Sequence, residues 1–125
     1  MKISRETNFP EIISVPKGER IQEILGLVAG HVKSHSLAEI TIPPGNASSP
    51  HYHKYSEESY LILSGRAALE VDGQVFSLLP GEAVLIEPLE IHQISNQSDE
   101  DLVFIAVCVP AWSPEDSFDA AEEVG

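Results

Sequence analysis

Two histidines separated by one residue, with a glutamate five residues further on, are the side chains of this sequence best suited to bind a metal ion. His51 and His53 are two of the five histidines in 125 residues. In an extended strand, residues i and i+2 point to the same face, about 7 Å apart along the chain. The two imidazoles can therefore reach one ion, and Glu58 can add an oxygen if its strand pairs with theirs. Imidazole with carboxylate suits a divalent Mn, Fe, Ni, Cu or Zn ion.

Glycines on both sides of this stretch complete a pattern of fixed spacing. Gly45 lies six residues before His51, and Gly65 lies seven residues after Glu58. The stretch resembles the first motif of the cupin superfamily, G-x5-H-x-H-x3,4-E-x6-G, at every fixed position. Two surface histidines in a polar loop would be the ordinary interpretation of an isolated H-x-H pair, but the register of both glycines and Glu58 argues against it.

A second stretch is similar to the second motif of the same family, G-x5-P-x-G-x2-H-x3-N. Gly81, His92 and Asn96 are in register with it. Glu87 stands where the motif has proline and Leu89 where it has the second glycine, so the path of this loop is left open. His92 would be the third imidazole; the alternative is a histidine partly buried at the end of a strand.

The resemblance covers roughly residues 37–110 and implies both a fold and a ligand set. The fold is an all-β, single-domain, double-stranded β-helix, a jelly-roll-like barrel. The resemblance implies that the barrel holds one divalent metal ion of unknown identity through His51, His53, Glu58 and His92. Four protein ligands leave two positions open on an octahedral ion, where water, dioxygen or a substrate can bind.

The hydrophobic pattern independently favours short strands. Residues 36–42 alternate in polarity, Asp72-Gly73 joins two apolar runs as a hairpin turn, and residues 102–109 form an eight-residue apolar run. Residues 21–30 have partly helical spacing, but Gly26 interrupts it, and the family resemblance favours a strand there. The pattern predicts nine or ten strands, typical of an all-β sandwich or barrel.

The chain divides into three predicted segments. Residues 1–36 would form N-terminal strands that pack on the barrel or on a partner subunit, with a short edge strand between Pro10 and Pro16. Residues 37–110 would form the barrel. Residues 111–125 would form a short helical turn starting near Ser113-Pro114 and an acidic, flexible tail.

Composition and charge limit the compartment and the partners. A net charge of −13 repels phosphate backbones and excludes nucleic acid as an expected partner. No apolar run approaches the length of a membrane span, and the N-terminal residues lack the apolar core of a signal peptide. The single cysteine, Cys108, forms no internal disulfide, which fits a reducing compartment. We therefore expect a cytoplasmic protein without a membrane partner.

Residues in phase with the ligands are pocket candidates. Tyr60 and Ile62 share the parity of Glu58, and Ile94 and Asn96 share that of His92. Tyr60 is the candidate catalytic residue, because its hydroxyl could hold a substrate oxygen or act as an acid; a core aromatic is an equally good interpretation. Cys108 could face the cavity or be a buried, inert thiol.

Three functional hypotheses follow. The first is a metal-dependent enzyme acting on a small molecule; the resemblance allows a dioxygenase, a sugar isomerase or epimerase, a lyase or a decarboxylase. The second is a non-catalytic module that binds a small ligand, and the third is a structural barrel without metal. Because strand 102–109 carries four outward-facing apolar residues, we also expect a homodimer formed through the outer β surface.

Overall fold

The computed structural model describes residues 1–5, 11–14 and 18–120, and nearly all of its regular structure is β-strand. Within these ranges, the helical elements are one α-helical turn, α1 (Leu27–Gly30), and one 3-10 turn (Pro114–Asp116). The strands are β1 (Glu11–Ser14), β2 (Glu19–Leu25), β3 (Ser36–Ile42), β4 (His51–Tyr52), β5 (Glu57–Ser64), β6 (Ala67–Val71), β7 (Gln74–Leu78), β8 (Ala83–Ile86), β9 (His92–Asn96), β10 (Leu102–Val109) and β11 (Phe118–Asp119).

Two antiparallel sheets face each other and confirm the predicted all-β jelly-roll fold. The six-stranded sheet has the order β1-β2-β3-β10-β5-β8, and the five-stranded sheet has the order β11-β4-β9-β6-β7. The first strand lies at the edge of its sheet, as its flanking prolines indicated. The structure has eleven strands in the described residues against the predicted nine or ten, and the two-residue strand β11, which pairs with β4, was not predicted.

Alternation along the strands builds the core between the sheets. In β3 and β10 every second residue is buried, and these residues meet in register at Ile42↔Leu102, Ile40↔Phe104 and Ala38↔Ala106. Fully burying a large apolar side chain contributes about 1.5–3 kcal/mol. The core cluster also takes residues from the opposite sheet, including Leu69 and Ile94.

The ambiguous stretch 21–30 resolves into a strand followed by a helical turn. β2 pairs with β3 from Arg20↔Thr41 to Leu25↔Leu37, so residues 19–25 belong to the six-stranded sheet. The strand ends at Gly26, and α1 follows directly. The inward face of β2 carries two buried acids, Glu19 and Glu23, in place of the apolar residues that a strand against a core normally presents.

Two turns show why particular residues are required. Asp72 and Gly73 both have positive φ, 47° and 87°, which is the primed turn predicted for the β6–β7 hairpin. Gly65, with φ 84°, lies so close to the turn before β10 that an added Cβ would be 2.9 Å from Asp101 O. Any other residue at this motif position would therefore be strained and would clash with backbone.

The C-terminal segment folds back onto the five-stranded sheet as far as Ala120. Phe118 pairs with Tyr52 and Asp119 with His51, and Ala120 N donates to Pro50 O at 2.9 Å. The end of the predicted flexible tail, residues 121–125, lies outside the described residues. This return brings acidic residues of the tail next to the H-x-H stretch.

No helix in the described part of the chain combines the length and apolar character needed to cross a bilayer.

Candidate metal centre

Four side chains that can ligate a metal meet between the two sheets. Each offers one ligand atom, and these four atoms all lie within 4.8 Å of one another: His51, His53, Glu58 and His92. β4 pairs with β9 at His51↔His92, and His53 directly follows β4, so the three imidazoles come from one sheet. Glu58 comes from β5 of the other sheet. The cluster therefore spans both layers and contains all four residues singled out by the motifs.

A main-chain hydrogen bond fixes each imidazole ring. The Nδ1 atom of every ring lies at hydrogen-bond distance from a carbonyl oxygen: His51 at 2.8 Å from Ser49, His53 at 2.8 Å from Asp116, and His92 at 3.0 Å from Glu90. A carbonyl oxygen only accepts, so Nδ1 carries the proton in all three rings. In the neutral form, each ring then has the Nε2 lone pair free for a metal.

The electrostatics of the cluster favour a neutral His51 and an ionised Glu58, and they favour a proton on His53 that a bound metal would displace. Burial, together with His92, lowers the pKa of His51 to about 4, so this ring is neutral at pH 7. Burial alone would raise the pKa of Glu58, but the imidazoles of His53 and His92 hold it well below its usual value. Burial also acts to lower the pKa of His53, and the Glu58 carboxylate more than reverses this. Glu58 is therefore an anion among three imidazoles.

One nitrogen of the cluster lacks a partner. His92 Nε2 lies 3.1 Å from Glu58 Oε1, whereas His53 Nε2 is 3.5 Å from the same oxygen. In the part of the chain that the structure describes, His53 Nε2 is buried and has no hydrogen-bond partner. A buried polar atom without a partner costs about 1–3 kcal/mol. A cation bound at the cluster would remove this cost.

Asp116, in the C-terminal 3-10 turn, organises the loop between the H-x-H pair and Glu58. Its carboxylate accepts hydrogen bonds from three successive main-chain N–H groups: Lys54 at 2.8 Å, Tyr55 at 3.1 Å and Ser56 at 3.0 Å. Burial acts to raise the pKa of Asp116, but these N–H groups hold it below its usual value. Because its carbonyl also accepts from His53 Nδ1, one residue fixes both the loop and a ligand ring. The sequence reading missed this role, since the partners lie about 60 positions away.

The departures from the second motif leave its geometry intact. Leu89, where the motif has glycine, adopts φ 74°, a left-handed conformation that costs a non-glycine residue about 1–2 kcal/mol. Its N–H donates to His53 O at 2.7 Å, which ties this loop to the H-x-H stretch.

Asn96 is not a pocket residue: its Nδ2 donates to Ile42 O and Glu100 O, and its Oδ1 accepts from Ser98.

Tyr60 and Cys108 contact the carboxylate of Glu58 from two sides. The Tyr60 hydroxyl donates to Glu58 Oε1 at 3.0 Å, and the Cys108 thiol donates to Oε2 at 3.2 Å. Burial and the Glu58 charge raise the pKa of both groups, so both keep their protons at neutral pH. Cys108 faces the cavity. The other pocket candidates on these strands, Ile62 and Ile94, are fully buried in the core.

A cavity of about 410 Å³ adjoins the cluster. His51, His53 and Glu58 line one part of it, and Glu19 and Glu23 of β2 line another. The space exists because two small residues, Ala38 and Ala106, face each other in register and contribute little volume to its wall. Alternation of Glu19, Ile21 and Glu23 was the available sequence signal for these acids, but the ambiguity of residues 21–30 concealed it.

Two histidines and three charged residues that are near the motifs in sequence lie outside the cluster. His31 and His35 are exposed, as are Lys54, Arg66 and Glu57. Lys54 lies over the ring of Tyr55, and Arg66 donates to Gln97 O at 2.7 Å. All five are exposed surface groups.

Comparison with known proteins identifies the same fold and motif region. Residues 38–108 match the family model described as a cupin domain. The chain is 33% identical over 100 residues to an uncharacterised protein of Methanocaldococcus jannaschii, covering 80% of each chain. It is 30% identical over 104 residues to a Thermotoga maritima protein named as an oxalate-binding protein, covering 80% of this chain and 86% of that one.

A solved structure of Lactobacillus farciminis oxalate decarboxylase in a formate complex superposes with a TM-score of 0.77 at 22% identity. The match covers 90% of this chain but 34% of the decarboxylase chain, so this chain spans about a third of that enzyme. At this identity the similarity concerns the fold.

Replacement of Asp116 should loosen the cluster. Asp116→Ala removes the acceptor for three N–H groups, and we expect affinity for Zn²⁺ to fall about 10- to 100-fold, as for other residues that orient a ligand. Chelator competition measures this loss, and urea unfolding of the metal-free protein measures the accompanying loss of stability. Glu115→Ala, at an exposed neighbouring position, is the matched control. Equal Zn²⁺ affinity in both variants would show that the turn does not position His53.

Proposed function

The chain belongs to the cupin family, and from this premise we propose that it is a metal-dependent enzyme acting on a small molecule. The observation that carries the proposal is the shared arrangement of three imidazoles. Each ring donates from Nδ1 to a carbonyl oxygen, and each offers a ligand atom within 4.8 Å of one from Glu58. A histidine that serves only packing has no need for this common orientation. It is the arrangement expected of metal ligands.

The residues fit a divalent cation. Nε2 of His53 is buried without a hydrogen-bond partner among the described residues, His51 is neutral at pH 7, and Glu58 is ionised. Glu58 raises the pKa of His53, so metal binding would displace a proton from this ring. Three nitrogens and one oxygen suit Mn, Fe, Ni, Cu or Zn, and availability in the cell decides which is bound. When bound, the ion would act as a Lewis acid or activate dioxygen at its open positions.

Tyr60 is our candidate for a residue that acts on the substrate. It keeps its proton at neutral pH and lines the cavity beside Glu58. Its hydroxyl donates to Glu58 in this structure, and by turning away from Glu58 it can donate to a substrate oxygen bound next to the cluster. Cys108, also protonated and facing the cavity, can contribute a weaker donor. This supports dioxygenase, isomerase or epimerase, lyase and decarboxylase chemistry equally, because each needs a substrate oxygen held near the ion.

The alternative is a binding module without turnover, and the relative named as an oxalate-binding protein favours it. The cavity favours the enzyme, because its described wall carries several groups able to hold a proton as well as apolar ones. A cytoplasmic location, proposed from the single free thiol, is compatible with both. Saturation binding of a small molecule that is recovered unchanged would decide for the module; formation of product, dependent on the metal, would decide for the enzyme.

Metal analysis of the purified protein tests the proposal directly. We expect about one divalent ion per chain, and His53→Ala should lose most of it because one of four ligands is removed. His35→Ala removes an exposed histidine outside the cluster and should leave the metal content unchanged. If His53→Ala retains the same stoichiometry as the parent, the ligand assignment is wrong.

We also propose that a second copy of the chain covers the outer face of the six-stranded sheet. β10 directs Val103, Ile105, Val107 and Val109 outward, and the adjacent β5 adds Leu61 and Leu63, which are 40% and 46% exposed. A contiguous apolar surface of this kind is typical of an interface. This row of β10 carries no charge, and two acids border it on the neighbouring strands, Glu39 opposite Ile105 and Glu57 opposite Val109. A two-fold dimer is the commonest closed solution.

Light scattering at micromolar concentration tests the dimer. We expect a mass near twice 13.6 kDa, and Ile105→Lys should shift it toward the monomer, because the interface would then bury two like charges. Val75→Lys, at an exposed position of the other sheet, should leave the mass unchanged. A parent mass near 13.6 kDa would rule the dimer out.

A further inference from the structure

Three carboxylates outside the metal cluster line the cavity, Glu19, Glu23 and Asp119, and the first two are buried on one strand. Glu19 and Glu23 lie on the inward face of β2, 9% and 5% exposed. Glu23 is held in place, because its Oε2 accepts from Ala29 N at 2.6 Å at the start of α1. Glu19 lies close enough to Glu58 for the charge of Glu58 to disfavour ionisation of Glu19, and burial adds to this effect. A positive charge or a hydrogen-bond donor beside Glu19 would offset the cost of burying its carboxylate.

The cavity offers these acids no cation. Among the described residues that line it, none is lysine or arginine, and its histidines belong to the metal cluster. Pockets for phosphates and carboxylates characteristically supply arginine or lysine donors. Here the described part of the cavity wall outside the cluster carries carboxylates and no lysine or arginine, in a chain with a net charge of −13.

We propose that the cavity selects a small molecule with a metal-binding oxygen at one end and an ammonium or other strong hydrogen-bond donor at the other, received by Glu19. This inference rests on the proposed metal site and names the substrate class for it. The cavity, at about 410 Å³, has the size of a small-molecule site. His53, whose buried Nε2 has no hydrogen-bond partner among the described residues, lines the same cavity as Glu19. One cavity is therefore bordered both by the candidate metal ligands and by a carboxylate outside their cluster.

The charge arrangement also disfavours anionic tails. A phosphate or second carboxylate in this cavity would approach Glu19 and Glu23 without a compensating lysine or arginine from the described wall. Burial and the Glu58 charge raise the pKa of Glu19 to about 7, so above pH 7 the carboxylate is predominantly ionised. The substrate class inferred here therefore differs from the oxalate that the Thermotoga maritima relative is named for.

A matched series of hydroxamates tests the inference by binding alone. β-Alanine hydroxamate, butyrohydroxamate and succinic monohydroxamate share a metal-binding group and a two-methylene tail, which ends in ammonium, methyl or carboxylate. Calorimetry at pH 8 on metal-loaded protein should rank them in that order, with the ammonium compound about tenfold or more tighter than the carboxylate compound. Metal content is measured before and after each titration.

Two variants test whether Glu19 causes the preference for the ammonium compound over the carboxylate compound. Glu19→Gln keeps the shape and removes the charge, so the ratio of the two affinities should fall several-fold while butyrohydroxamate binding stays the same. Glu57→Gln makes the same charge change at an exposed position and should preserve the ratio. The inference is overturned if the carboxylate compound binds the parent as tightly as the ammonium compound, if Glu19→Gln leaves the ratio unchanged, or if metal-loaded protein binds none of the three. A protein that takes up no metal would instead overturn the proposed function, and this inference with it.

Discussion

Three Nδ1–H groups donate to main-chain carbonyl oxygens, and the direction of every Nε2 in the cluster depends on these hydrogen bonds. The carbonyls belong to Ser49, Glu90 and Asp116, in three different connecting segments. A shift of any of these segments would turn one ring away from Glu58. Main-chain carbonyls therefore orient the three imidazoles. The barrel must hold the three segments that carry these carbonyls in fixed positions relative to one another.

The two sheets hold the four side chains of the cluster from opposite sides. The imidazoles lie on or next to β4 and β9, while Glu58 lies on β5 of the other sheet, opposite Cys108 of β10. A bound ion would thus connect the layers, and its binding free energy would add to the stability of the fold. The C-terminal return closes the arrangement, because Asp116 holds both the ring of His53 and the loop that leads to β5.

Local sequence patterns predicted which side chains form the cluster more accurately than they predicted which residues line the cavity. Motif spacing identified His51, His53, Glu58 and His92 because each position is fixed by nearby turn glycines and strand parity, and the structure places all four in one cluster. Parity also assigned Ile62 and Ile94 to the inward face, but it does not say how deep a residue lies, and both belong to the core. Leu89 shows that a backbone conformation can persist after its glycine has been replaced.

Long-range contacts were beyond the sequence patterns. Nothing near Asp116 indicates that it will accept hydrogen bonds from residues 54–56, since this depends on how the tail crosses the sheet. Glu19 and Glu23 were missed for a related reason: an acid on the inward face of a strand contradicts the usual pattern, and such contradictions are expected at functional sites.

X-ray absorption spectroscopy of the Zn²⁺-loaded protein tests the ligand set most directly. The account predicts three imidazole nitrogens at about 2.0–2.1 Å, with carboxylate or water oxygens completing the coordination. Cys108 is the informative competitor, because its thiol lies 3.2 Å from Glu58 Oε2 at the edge of the cluster. A sulfur at about 2.3 Å, or fewer than three imidazoles around the ion, would contradict the account.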